Sequence, residues 1–184
     1  MEKTWKEILQ HLYTKPIFDA KYETYTPFFI PLNRTISEDI YLQKAIYYGG
    51  YLEKRTIYHT ADRIQDYTQT NGELRSIHIG YDFWVKAGET VFAPLTGKIH
   101  STSYNPKKGQ YGGCLIVEHG FEECVFYTLY GHISEKSVVE AEIGKNVLAG
   151  EPIGIIGKET ENGYWLPHLH FQIILDLQGF EGEY

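Results

Sequence analysis

The chain has 184 residues and a mass of 21.3 kDa, a length that suits one domain or one domain with an appended segment. Hydrophobic residues make up 42% and charged residues 22%, proportions that exclude a wholly disordered or collagen-like chain. The formal net charge is −7 and no basic cluster is present, which argues against nucleic acid or an anionic membrane surface as a partner. No run reaches about 18 apolar residues, so we predict no transmembrane span.

Residues 1–74 are predicted to form a partly helical, irregular N-terminal segment. Residues 4–7 fit a capping box, and the apolar residues that follow have the spacing of an amphipathic helix. Ser37 is placed to cap a second helix that runs to about Tyr48, where Gly49 and Gly50 would end it. The start of the chain leads into no apolar stretch of the signal-peptide kind, so the sequence predicts a cytoplasmic protein.

Residues 75–184 have the pattern of an antiparallel β domain. From about Ile77, short β-branched and aromatic runs alternate with glycine-containing turns at close intervals. This pattern is typical of an antiparallel sheet or small barrel, and it does not fit βαβ units. We therefore predict a mainly β fold. Cys114 and Cys124 are too few for a disulfide framework and are predicted to be reduced.

His78 and Asp82 form an H-x-x-x-D pattern. On a straight strand their Cα atoms would lie about 13 Å apart, too far to share one ion. The pattern can hold a metal only if the chain bends between the two residues, and Gly80 is where we expect the bend.

His168 and His170 form an H-x-H pattern in a predicted strand. Alternate residues of a strand point to the same face, so both imidazoles are directed at one spot while Leu169 faces the core. His132 ends an apolar run beside Gly131, a position from which its side chain would project into a groove.

The three patterns together predict a metal centre. Catalytic zinc takes three protein nitrogen or oxygen ligands and keeps a fourth position for water. His78, Asp82 and one of His168 or His170 supply such a set. The other histidine of the H-x-H pattern and His132 are then free for proton transfer or transition-state stabilisation.

The order of these motifs resembles that of the lysostaphin-type zinc endopeptidases, which cut peptidoglycan cross-bridges. The motifs are HIGYD at residues 78–82, LYGH at 129–132 and PHLHF at 167–171, and residues 91–97 and 143–154 are similar as well. The resemblance covers about residues 75–175. It implies an antiparallel sheet or barrel-sandwich-like metallopeptidase domain, with a groove over the sheet.

The resemblance also implies a role for each site residue. His78, Asp82 and His170 are expected to bind one zinc ion per chain, and His132 and His168 to be the catalytic pair. The implied activity is that of a zinc metalloendopeptidase, and the expected partner is a peptide or peptidoglycan substrate. The bonds it would hydrolyse lie in stem or cross-bridge peptides.

The chain departs from the family pattern in the loop before the H-x-H motif, where residues 162–166 replace the usual Ser-Thr-Gly. One alternative function is a non-catalytic, metal-containing groove module that binds peptide or glycan and regulates a partner. A second is a lipoyl- or biotinyl-carrier-like domain, although neither candidate turn offers a lysine. Arg75 is a candidate to orient a carboxylate. The other histidines, 11, 59, 100 and 119, are predicted to have structural or surface roles.

Overall fold

The computed structural model describes residues 17–18, 21, 26–29, 40–41, 45–55 and 77–179. The first predicted helix lies outside these residues, as does most of the second. Within the second, residues 40–41 lie in a short 3₁₀ turn, but its predicted end at Tyr48 is wrong, because Ala45–Tyr48 is a strand. Tyr47 and Tyr48 pair with Trp84 and Phe83 of a neighbouring strand, and this sheet pairing overrides the local helical pattern.

The described residues form a mainly β fold, as predicted. The strands are β1 (Thr26–Phe29), β2 (Ala45–Tyr48), β3 (Tyr81–Trp84), β4 (Thr90–Phe92), β5 (Gly97–Asn105), β6 (Gly112–Phe121), β7 (Cys124–Ile133), β8 (Asn146–Val147), β9 (Pro152–Ile155) and β10 (Leu169–Ile174), and one helix, α1 (Glu135–Glu140), follows β7. Eight strands form one sheet in the order β1-β2-β3-β10-β7-β6-β5-β8, and β4 pairs with β9. The β1–β2 pairing is parallel, and the other pairings are antiparallel.

Both faces of the central strands are covered, because alternate residues belong to different apolar clusters. On β6, Leu115 and Val117 lie in the larger cluster, whereas Cys114 and Ile116 lie in the smaller one. Each such side chain contributes roughly 1.5–3 kcal/mol when it is fully buried. On β10, Leu169 is fully buried in the larger cluster, as predicted, and its neighbours in sequence therefore point to the opposite face.

Two further predictions concern the chain as a whole. Both cysteines are free, as expected. Among the described residues, no helix has the length and apolar character needed to cross a lipid bilayer.

His119 has a structural role at the edge of the core, in line with its assignment from sequence. Its Nδ1 lies 3.0 Å from the carbonyl oxygen of Thr96, and its Nε2 lies 2.7 Å from the hydroxyl of Thr128. The ring also stacks on Phe126 at a centroid distance of 5.1 Å. Burial lowers the pKa of His119, so the neutral ring is the form that this environment favours.

We predict that His119→Leu destabilises the chain by about 1–3 kcal/mol at pH 7.5, because the carbonyl of Thr96 and the hydroxyl of Thr128 lose their partner. The variant should also have a flatter pH dependence. The folded pKa of His119 is lowered, so the unfolded chain binds more protons once the pH falls below about 6.5. The stability due to the neutral ring is thus present above that pH and lost as the pH falls toward the folded pKa. Urea denaturation at several pH values between 7.5 and 5 measures both effects. If the free energy of unfolding depended on pH equally in wild type and variant, this structural role of His119 would be contradicted.

Candidate metal centre

Three neighbouring strands bring the separate histidine motifs together. His170 on β10 is directly opposite Asp82 on β3 and, on its other side, opposite Gly131 on β7. His132 follows Gly131 in β7, and His168 immediately precedes β10. The pairing of β10 with both neighbours therefore gathers residues that lie up to 92 positions apart in the sequence.

His78, Asp82 and His170 form a compact triangle of donor atoms. Nε2 of His78 lies 3.1 Å from Oδ1 of Asp82 and 3.0 Å from Nδ1 of His170, and the same Nδ1 lies 2.9 Å from Oδ1. All three side chains are buried. Among the described residues, these three side chains form a group that could hold a metal ion.

The outward nitrogens of the two imidazoles fix which nitrogen carries the proton. Nδ1 of His78 lies 3.0 Å from the carbonyl oxygen of Gly50, which can only accept, so this nitrogen carries the hydrogen. Nε2 of His170 lies 3.4 Å from Oε1 of Gln172, also an acceptor, and 3.2 Å from the hydroxyl of Tyr111. In the neutral form of either ring, the nitrogen without a proton therefore faces the carboxylate.

This donor set fits a divalent metal ion. Two imidazole lone pairs and a carboxylate oxygen converge with no proton between them, an arrangement that is repulsive unless a cation lies among the three atoms. Tetrahedral zinc with bonds of about 2.0–2.1 Å spaces its ligand atoms about 3.3 Å apart, close to the observed separations. The set of two histidines and one carboxylate is also one that zinc accepts.

His132 and His168 form a second pair beside the triangle. Their ring centroids are 4.0 Å apart, and Nε2 of His168 lies 3.9 Å from Oδ1 of Asp82. Each ring donates from Nδ1 to a backbone carbonyl, that of Asn162 at 3.0 Å for His132 and that of Leu166 at 2.7 Å for His168. Nε2 is therefore the basic nitrogen of both rings.

The environment favours neutral imidazoles and an ionised carboxylate. Burial lowers the pKa of His132, His168 and His170, and the neighbouring ring of His168 lowers the pKa of His132 further. Burial alone would raise the pKa of Asp82, but the charge of His168 when protonated and the hydrogen bonds of His170 and His78 when protonated at the facing nitrogens outweigh it and hold that pKa well below its usual value. With the rings neutral, a cation among the three donor atoms would keep the carboxylate ionised in their place. These are the protonation states that metal binding requires.

The backbone at His132 is in the left-handed region, with φ at 64°. This conformation costs roughly 1–2 kcal/mol in a residue with a Cβ. Two hydrogen bonds hold it, from the His132 amide to the Tyr111 carbonyl at 3.0 Å and from the Gly157 amide to the His132 carbonyl at 2.9 Å. The strained conformation is thus maintained at the residue that carries a candidate catalytic ring.

Two residues that support the site carry no signal in the sequence. Arg55 donates from Nη2 to Oδ2 of Asp82 at 2.7 Å, and Tyr111 stacks on His170 at a centroid distance of 4.9 Å. Neither residue has a motif spacing to the histidines, so no local signal could have identified it. Trp84, which the sequence places beside the H-x-x-x-D motif, stacks on His168 at a centroid distance of 5.9 Å. Arg75, which the sequence suggested for a carboxylate, lies outside the described residues.

Gly80 lies at the predicted bend of the H-x-x-x-D motif. A Cβ at this position would lie 2.7 Å from Cε1 and Nε2 of the His170 ring and 2.7 Å from the carbonyl oxygen of Phe171. The glycine is therefore required by the close approach of β10, because any side chain would push against the ring.

We predict that Gly80→Ala lowers the free energy of unfolding by roughly 1–3 kcal/mol, because the added methyl group overpacks the contact with His170. Gly120→Ala is the matched control, since a Cβ there meets nothing within 4 Å and the backbone is not left-handed. Chemical denaturation of the two variants and the wild type measures the difference. Equal stability of the two variants would show that β10 does not pack against Gly80 as described.

Solved structures of three other proteins are similar to part of this chain. A putative peptidase M23 from Pseudomonas aeruginosa is 26% identical, with a TM-score of 0.41, over 52% of this chain and 37% of that chain. A zinc-containing peptidase from Vibrio cholerae is 28% identical, with a TM-score of 0.45, over 56% of this chain and 28% of that one. The catalytic domain of lysostaphin from Staphylococcus simulans is 23% identical, with a TM-score of 0.44, over 64% of this chain and 87% of that chain.

The chain thus spans about a third of the length of the first two of these structures. No curated protein matches it in sequence. The family model described as Peptidase family M23 matches residues 76–180, which is more than half of the chain and includes the predicted metal ligands and the predicted catalytic histidines. This match confirms the family resemblance found in the sequence, and the chain belongs to peptidase family M23.

Proposed function

We propose that the protein is a zinc-dependent metalloendopeptidase that hydrolyses peptide bonds in the stem or cross-bridge peptides of peptidoglycan. The observation that carries the proposal is the buried triangle of His78, Asp82 and His170, whose donor atoms lie 2.9, 3.0 and 3.1 Å apart. Membership of a peptidase family supports the reaction class. We also propose that residues 75–184 form the peptidase domain and residues 1–74 an N-terminal segment.

Each residue of the site has a role in this proposal. His78, Asp82 and His170 would hold the ion through Nε2, Oδ1 and Nδ1. Zinc, when bound, polarises a carbonyl group and makes water more acidic. Because the rings of His132 and His168 are neutral and Nε2 is their basic nitrogen, each can accept a proton from water and return it to the leaving amine.

The positions of His132 and His168 favour catalysis over the alternative of a non-catalytic groove module. A binding module has no need for two further buried imidazoles beside the ion. Burial of an imidazole removes hydration of its charged form, and these two rings lie only 4.0 Å apart between centroids. An arrangement that keeps both rings neutral and ready to accept a proton is what acid–base catalysis requires.

We predict that the wild-type chain binds one zinc ion and that Asp82→Ala and His170→Ala bind none, because each variant leaves only two protein ligands. Metal analysis after dialysis against zinc and removal of the excess measures the stoichiometry. His168→Ala is the matched control. It removes a buried imidazole next to the triangle but no proposed ligand, so it should keep one zinc. A wild-type chain that takes up no zinc on titration would refute the proposal.

We predict that zinc-loaded wild type releases soluble fragments from purified peptidoglycan and that His168→Ala or His132→Ala lowers kcat by about 10²–10⁴-fold, because a general acid–base group is lost. His100→Ala should retain wild-type activity, since His100 is half-buried on β5 and its described contacts are with Ser101 and Tyr127, not with the candidate site. Substrates with several cross-bridge chemistries should be compared. A zinc-loaded chain that binds them all and cleaves none would favour the groove-module alternative.

A further inference from the structure

The segment Gly49–Arg55 contacts both ends of the H-x-x-x-D motif, although it lies outside the family match at residues 76–180. The amide of Gly49 donates to the carbonyl of Asp82 at 2.7 Å, and the amide of Leu52 donates to the carbonyl of His78 at 2.8 Å. The amide of His78 in turn donates to the carbonyl of Glu53 at 2.8 Å. These backbone bonds fix the segment against the candidate metal ligands.

From this segment, Arg55 reaches the carboxylate of Asp82. Its Nη2 lies 2.7 Å from Oδ2, and the side chains of Arg55 and Asp82 are 11% and 3% exposed. A charge-assisted hydrogen bond this short and this shielded from water is among the stronger polar contacts that a protein makes. Glu53 lies farther from the guanidinium, with Oε2 at 4.0 Å from Nη2, so Asp82 is the nearer acceptor.

The two oxygens of Asp82 therefore have different partners. Oδ1 faces the imidazoles, at 2.9 Å from Nδ1 of His170 and 3.1 Å from Nε2 of His78, whereas Oδ2 accepts from Arg55. A carboxylate can bind a metal through one oxygen or through both. Binding through both would add a ligand and occupy a position that a catalytic zinc site keeps open.

We propose that Arg55 is a positioning residue that restricts Asp82 to one-oxygen coordination and so keeps a coordination position open for water or substrate. The proposal rests on the proposed function, since it concerns how the same three ligands hold the ion. Arg55 touches neither substrate nor metal. It acts through Asp82, by engaging Oδ2 with a donor that the buried surroundings make hard to replace.

A purely structural ion pair would behave differently. If Arg55 served only to attach its segment to β3, its loss would lower the free energy of unfolding and leave the coordination number unchanged. If it controls Asp82, its loss frees Oδ2 to join the ion, and the coordination number rises. The coordination number is thus the readout that separates the two roles, and it requires no turnover.

Cobalt(II) added to the metal-free full chain provides that readout, because four-coordinate cobalt absorbs visible light several-fold more strongly than five- or six-coordinate cobalt. Wild type should give the intense spectrum. Arg55→Met should give a several-fold lower molar absorption at full cobalt occupancy. The matched control is Lys54→Met, which removes the same charge from an exposed neighbour on the same segment and should keep the wild-type spectrum.

Circular dichroism establishes that each variant is folded. If Arg55→Met does not fold, Arg55→Gln is the second variant, because its shorter amide also loses the contact with Oδ2 while keeping a polar end. A crystal structure of the zinc-loaded wild type gives an independent measurement. Asp82 should bind through Oδ1 alone, with Oδ2 still on Arg55.

Equal cobalt spectra in wild type and a folded Arg55 variant, or both oxygens of Asp82 on zinc in the wild type, would overturn this inference. Either result leaves the proposed function standing if the wild type still cleaves peptidoglycan. A wild-type chain that binds neither cobalt nor zinc would overturn the proposed function, and this inference with it.

Discussion

The pairing of β10 with β3 is the constraint on which the candidate site depends. His170 and Asp82 are directly opposite each other in that pairing, so the ladder of backbone hydrogen bonds sets the distance between two of the three donor atoms. Because side chains alternate along a strand, a slip of one residue would turn His170 into the core and Leu169 toward Asp82. The buried position of Leu169 makes such a slip costly, and the core thereby stabilises the geometry of the site.

The direction of the lone pairs depends on a second set of contacts, made mostly by backbone carbonyls. Gly50, Asn162 and Leu166 each accept a hydrogen bond from a site histidine, and the amide oxygen of Gln172 has the same role for His170. An oxygen of this kind can only accept, so it determines which ring nitrogen carries the proton. The second ring nitrogen of each of the four histidines stays available because separate parts of the chain hold the opposite nitrogen.

The motifs could be found from the sequence because their geometry follows from the chain itself. Alternation along a strand places His168 and His170 on one face, and the bend at Gly80 is visible as a glycine between His78 and Asp82. Alternation alone does not say which of the two histidines joins Asp82, and only the family resemblance favoured His170. The structure places Nδ1 of His170 at 2.9 Å from Oδ1 of Asp82 and Nε2 of His168 at 3.9 Å.

The parts that sequence analysis missed lie where long-range contacts decide the outcome. β2 was predicted as helix because its pairing with β3 has no local signature, and Arg55 has no spacing to Asp82 that a motif could record. Both belong to the segment before residue 75, yet they support ligands that follow it. A boundary at residues 74–75 therefore marks a change in the residue pattern of the sequence, whereas residues on both sides of it contribute to the site. Without Gly50 and Arg55, Nδ1 of His78 and Oδ2 of Asp82 would each lose the partner that directs the opposite atom toward the centre of the triangle formed by His78, Asp82 and His170.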